Sequence, residues 1–188
     1  MNKAFIFGLL ITSAIANAQQ NTLPPSPLKT IDTTTGGLKN NTPKSNLVEK
    51  QIADIAKFKY LTFQVITSTD LTTAKSEKFI GICSEFETYD WISKKTLTMD
   101  KAELSKLIDA LQNIYQKEGE KSSSVEKKYK FLTASKIEFG AVFNDKLNAW
   151  INYIDFPQNF NQKYLIQFSK SELNDLIKIL KTASDKID

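Results

Sequence analysis

A short pattern that occurs twice limits what this chain can become. Residues 97–111 read LTMDKAELSKLIDAL and residues 166–180 read IQFSKSELNDLIKIL. Aligned at a constant offset they share Lys101/Lys170, Glu103/Glu172, Leu104/Leu173, Leu107/Leu176, Ile108/Ile177 and Leu111/Leu180. Each copy runs from a strand end into a helix start. Asp100 or Ser169 is placed to accept from the first-turn amides, Glu103 or Glu172 can reach back to the cap, and Met99 or Phe168 can staple onto Leu104 or Leu173. Ser169 and Glu172 make the better box, because a serine hydroxyl and a glutamate satisfy each other reciprocally. Past the caps the apolar residues recur at helical spacing, so each helix has one stripe to bury.

Ahead of each helix the period changes to two. In residues 60–67, Leu61, Phe63 and Val65 alternate with Thr62, Gln64 and Ile66; a second strand is expected over 78–89, and a third at 97–99 feeds the first helix, 100–117. The order then recurs. Residues 136–143 place Ile137, Phe139, Ala141 and Phe143 on one face, Asn144-Asp145 makes a tight turn, 146–156 returns, and 164–168 leads into the second helix, 169–186. The expected fold is α+β: two ββ(β)α repeats, near 58–117 and 131–187, forming one antiparallel sheet of about six strands with both helices packed on one face. Strand order stays open between swapped halves and side-by-side meanders. Residues 47–57 are expected as a short helix, from the spacing of Leu47, Val48, Ile52, Ile55 and Ala56. Residues 118–130 read as a charged connector, in which Lys127, Lys128 and Lys130 are offset by Glu118, Glu120 and Glu126.

The amino terminus carries an address. Lys3, the apolar run Phe5–Ile15 and Ala16-Asn17-Ala18 have the order of a cleaved signal peptide, with the cut after Ala18 and a periplasmic or secreted product. The run is too short to span a bilayer, so membrane insertion is not expected. Residues 19–46 hold Pro24, Pro25, Pro27 and Pro43 and few large apolar groups, the composition of a disordered tether. Asp32-Thr33-Thr34 within it resembles a short O-glycosylation acceptor pattern. Residues 47–188 are then one domain. Cys83 is the single cysteine, which rules out an internal disulfide and fits a small buried strand residue.

Composition excludes more chemistry than it suggests. The chain has 25 basic residues against 21 acids and no histidine, and every basic residue is lysine. Without histidine there is no Ser-His-Asp triad, Cys-His dyad or imidazole metal site; without arginine there is no bidentate clamp for phosphate. From Leu47 onward the charges nearly balance, so no basic face for nucleic acid is expected. No Gly-rich phosphate loop follows a strand, and no cofactor is implied.

Two constellations remain. Glu85 and Glu87 point to one face of a strand, about 7 Å apart, with Tyr89, Asp90 and Trp91 following. Such carboxylates suit glycoside hydrolysis or calcium, and equally a solvated face opposite lysines. Asn148, Trp150 and Asn152 share the other candidate face: if Leu147, Ala149, Ile151 and Tyr153 point to the helices, an indole flanked by two amides points outward, as a sugar or protein ligand requires. The expectation is a non-catalytic exported binding module, contacting a protein or glycan through the sheet face away from the helices or through a strand edge. A carboxylate-based hydrolase and a self-associating homodimer of the envelope are the competing readings.

Overall fold

The computed structural model describes residues 29–36, 47–87, 91–119, 127–158, 160 and 165–187. Its elements in chain order are β1 (Lys29–Gly36), β2 (Val48–Phe58), β3 (Leu61–Asp70), β4 (Lys75–Glu87), β5 (Trp91–Met99), α1 (Lys101–Lys117), β6 (Lys128–Leu132), β7 (Glu138–Asn144), β8 (Ala149–Asp155), β9 (Leu165–Phe168) and α2 (Lys170–Ile187). The side chains of 29–36, Phe86 and Glu87 are outside this description.

The α+β class is as expected, but the strands form two sheets where one was expected. A 5-stranded sheet has the order β1-β5-β4-β3-β2, and a 4-stranded sheet the order β6-β7-β8-β9. Strands β2 to β5 and β6 to β9 are antiparallel meanders, each ending in a strand that feeds a helix; β1 adds in parallel beside β5. The extra strands explain the division. Strand β2 occupies 48–58, where a helix was expected, because a bulge between Asp54 and Ala56 interrupts the period of two and leaves Ile52, Ile55 and Ala56 at helix-like spacing. Strand β6 begins within the end of the stretch taken for a connector, at Lys128, and runs two residues past it: Tyr129 and Phe131 alternate with Lys128, Lys130 and Leu132 in a half-buried pattern. Within the expected tether, Lys29–Gly36 pairs along Trp91–Thr98. The rest of 19–46, and the expected leader at 1–18, lie outside the described residues.

The caps behave as their side chains dictate. At α1, Asp100 accepts from the Glu103 amide at 2.8 Å. At α2 the box closes in both directions: the Ser169 amide donates to Glu172 at 2.8 Å and the Glu172 amide to the Ser169 hydroxyl at 3.4 Å. Glu103 is then free to work elsewhere, and it accepts from the Ala134 amide in the β6–β7 turn. Glu172 likewise meets Lys59 in the β2–β3 turn. The lysine ammonium, then the Ser169 amide, hold the Glu172 carboxyl down at about 2.

These contacts report how the halves are joined. Each helix buries one stripe: Leu104, Leu107, Ile108, Leu111 and Ile114 on α1; Leu173, Leu176, Ile177, Leu180, Ala183 and Ile187 on α2. The stripes do not share one sheet face, as was expected. The two helices pack together; α1 touches β4 and also β6 and β7, whereas α2 lies against β2, β3, β4 and β8. The helix that follows each meander therefore helps cover the other one. Phe63, Ile80, Ile82 and Met99 from the first sheet and Phe139, Ile154 and Phe168 from the second, with Phe156 just past β8, meet both stripes in one contiguous core. Phe58 stands edge-on to Phe168, ring centroids 5.2 Å apart, where the sheets approach.

Candidate functional site

Neither sequence-predicted constellation assembles as expected. Strand β8 turns the opposite way from the reading of 146–156. Asn152, expected outside, is 1% exposed, and Ile154 and Phe156 on its side of the strand belong to the core. Trp150 is half-buried, stacked on Tyr129 at 5.5 Å and edge-on to Phe143 at 5.4 Å. Asn148 sits in the β7–β8 loop with φ of 47°, so that loop, and not a tight turn at 144–145, reverses the chain. Of the residues expected to face the helices, Leu147 is 66% exposed. The strand carries apolar residues on both faces, which leaves alternation alone unable to choose between them. The pairing chooses: Phe139, Ala141 and Phe143 stand opposite Ile154, Asn152 and Trp150, and opposed residues share a face.

In the carboxylate group, Glu85 stands across from Lys94 and forms an ion pair at 3.3 Å, the solvated-face arrangement. The Glu87 side chain and Asp90 lie outside the described residues; Trp91 begins β5 and is 41% exposed. Cys83 is buried on β4. Among the described residues no group of three acidic or cysteine side chains is disposed to hold a metal ion, and no helix is long and apolar enough to cross a membrane.

Two polar clusters were not anticipated. On the outer face of the second sheet the Tyr153 hydroxyl donates to Glu138 at 2.6 Å, with Lys128 and Lys130 at 3.3 and 3.8 Å from the same carboxylate. Burial and this bond push the phenol up to about 12, and the phenol's donation holds the Glu138 carboxyl low. A phenol so protonated is a donor, not a nucleophile. The alternation Lys128, Tyr129, Lys130, Phe131 was the available signal for this face.

The second cluster joins the end of α1 to β8. Glu118 caps α1 and its carboxylate turns inward toward Asn152 and Lys170, whose ammonium stands 4.8 Å from the Tyr115 ring centre. Both carboxylate oxygens and both Asn152 amide atoms are buried without a well-formed hydrogen bond among the described residues. Burial pushes the Glu118 carboxyl up, against the pull of Asn152 and Lys170. A carboxyl raised by folding holds its proton more tightly in the native chain, so stability falls as pH rises from the ordinary carboxylate range through its folded pKa. Glu118→Gln should remove that slope and gain stability at neutral pH. Denaturant titrations at pH 4 and pH 7 would check this, and a variant less stable at both would contradict it.

The remaining surface feature is a strand edge. Strand β2 ends the first sheet, and its residues 49–54 are exposed without interruption. Ile52, 49% exposed, stands opposite Ile66 of β3, and Ile66 opposite Phe79 of β4. Ile66 and Phe79 are buried yet lie outside the helix-covered core. The Ile66 side chain settles over Gly81, where a Cβ would come within 2.8 Å of its Cδ1. An apolar row thus crosses the face away from the helices and runs out at the edge. No family model matches the chain, and neither does any curated protein.

Proposed function

We propose that the protein is an exported, non-catalytic interaction module that receives an extended partner strand along β2. The observation that carries this reading is the uninterrupted exposure of residues 49–54 on an 11-residue edge strand, beside the Phe79–Ile66–Ile52 row. An edge of that length presents unpaired backbone donors and acceptors, and pairing there supplies affinity while alternate side chains supply selectivity. The non-catalytic part is supported by a chain with no histidine and by a phenol and carboxylates engaged with one another. Export rests on the Lys3, Phe5–Ile15, Ala16-Asn17-Ala18 pattern. The matched caps and the two meander-then-helix halves support an ancestral unit that was doubled.

A photoreactive side chain placed at Ile52, and separately at Lys178 on the exposed side of α2, tests the surface in the native host. The Ile52 probe should yield a discrete cross-linked product and the Lys178 probe none. Equal labelling from both positions, or none from Ile52, would remove β2 as the contact site.

A further inference from the structure

We infer that the strand received by β2 is β2 of a second copy, paired antiparallel about a two-fold axis through Ile52. This rests on the reading of β2 as the contact site and supplies its occupant. Antiparallel pairing centred on Ile52 places Ile52 opposite its twin and Lys50 opposite Asp54, all within the regular stretch ahead of the bulge that follows Asp54. Both Lys50–Asp54 pairs form at once, one on each side of the axis, because the interface is isologous. Opposite charges set directly across a ladder favour the register, and like charges oppose it. A slip of two residues in one direction sets Lys50 against Ile52, and in the other sets Asp54 against Ile52. A slip of one turns the apolar row to the wrong face.

The sheet face gives a second reason. Phe79, Ile66 and Ile52 stand side by side across β4, β3 and β2, and exposure rises from 8% and 1% to 49% at the edge. With Ile52 against its twin the row continues through Ile66 and Phe79 of the second copy. The two 5-stranded sheets then become one. Asp54 already accepts from Gln64 at 2.7 Å, which holds the carboxylate on the face where the incoming Lys50 arrives. Both edges of the second sheet are shorter: β9 has 4 residues and β6 has 5, and β6 carries Lys128 and Lys130 on one face with no acid between them to pair across an axis.

Sedimentation velocity on the full chain over roughly 1–100 μM should show a concentration-dependent dimer. Lys50→Glu and Asp54→Lys, each setting like charges across the axis twice, should weaken it about tenfold, and the double variant should recover it. Register is read independently by cysteine substitution: Ile52→Cys should oxidise to a linked dimer with copper phenanthroline, since cross-strand neighbours fall within disulfide reach, and Glu49→Cys should not. A monomer throughout, a dimer indifferent to both reversals, or equal linking from Glu49→Cys would overturn the inference. A monomer that still cross-links from position 52 to a different protein would retain β2 as the contact site and remove only self-pairing. Loss of both signals removes both.

Discussion

Leu176→Ala should lower the free energy of unfolding by about 2–5 kcal/mol and should destabilise both sheets together. Leu176 is fully buried on α2, among side chains contributed by both meanders. Removing its isobutyl group loses transfer free energy and leaves a cavity whose walls, held by strands on one side and α1 on the other, collapse only in part. Natural domains have about 5–15 kcal/mol in reserve, so one truncation removes a large share. The shared core makes the result diagnostic. Denaturant curves followed by tryptophan fluorescence, with Trp91 in the first sheet and Trp150 in the second, should shift by the same amount in single-tryptophan variants. Two separate transitions would show that the halves fold independently. Leu147→Ala, at a position 66% exposed, should change stability by less than about 0.5 kcal/mol.

Gly140→Val should be the most damaging single addition of volume. A Cβ at 140 would lie 2.5 Å from the Tyr129 carbonyl oxygen, 2.5 Å from the Tyr153 hydroxyl and 2.6 Å from Tyr153 Cζ. Tyr153 can rotate away only by breaking its bond to Glu138, and the Tyr129 carbonyl belongs to the neighbouring strand and cannot retreat without opening the β6–β7 ladder. Overpacking of this sort costs about 1–3 kcal/mol or more, and the two valine methyls and the lost hydrogen bond place this case at the upper end. Gly81→Ala is the comparison. There the nearest atoms are the side-chain tips Ile66 Cδ1 at 2.8 Å and Thr96 Cγ2 at 2.9 Å, which can turn, so the loss should be smaller. Thermal melts of the two variants would rank them; a larger loss at Gly81 would contradict the packing assigned to Gly140.

What could be read from residues alone followed the strength of local signals. The helices and the strand-to-helix junctions were legible because cap, staple and stripe agree at Asp100–Leu111 and Ser169–Leu180. The face of β7 was legible because Phe139, Ala141 and Phe143, with Ile137 just ahead of the strand, keep one side apolar, whereas Glu138 and Gly140 interrupt the other. Strand β2 was not, since its bulge places apolar side chains at intervals that imitate a helix. The face of β8 was not, because Asn152 is a polar residue on the buried side and Ile151 and Tyr153 supply an equally apolar alternative. Division into two sheets rests on the two meanders not pairing with each other, since apart from β1–β5 every pairing joins consecutive strands, and no local pattern says whether two meanders will share an edge. The candidate edge at β2 became visible only once the strand order had put it at the end of a sheet.

The exchange of helices between halves also sets a timetable. Lys78 on β4 donates to the Lys186 carbonyl across 108 positions of chain, and Lys59 reaches Glu172 across 113. During synthesis the first meander emerges long before α2 exists to shield Phe63, Ile80 and Ile82. Contacts so distant along the chain form slowly, and an unshielded apolar sheet is prone to clump while it waits. A chain of this topology therefore leaves the apolar face of its first meander incompletely covered until α2 is in place.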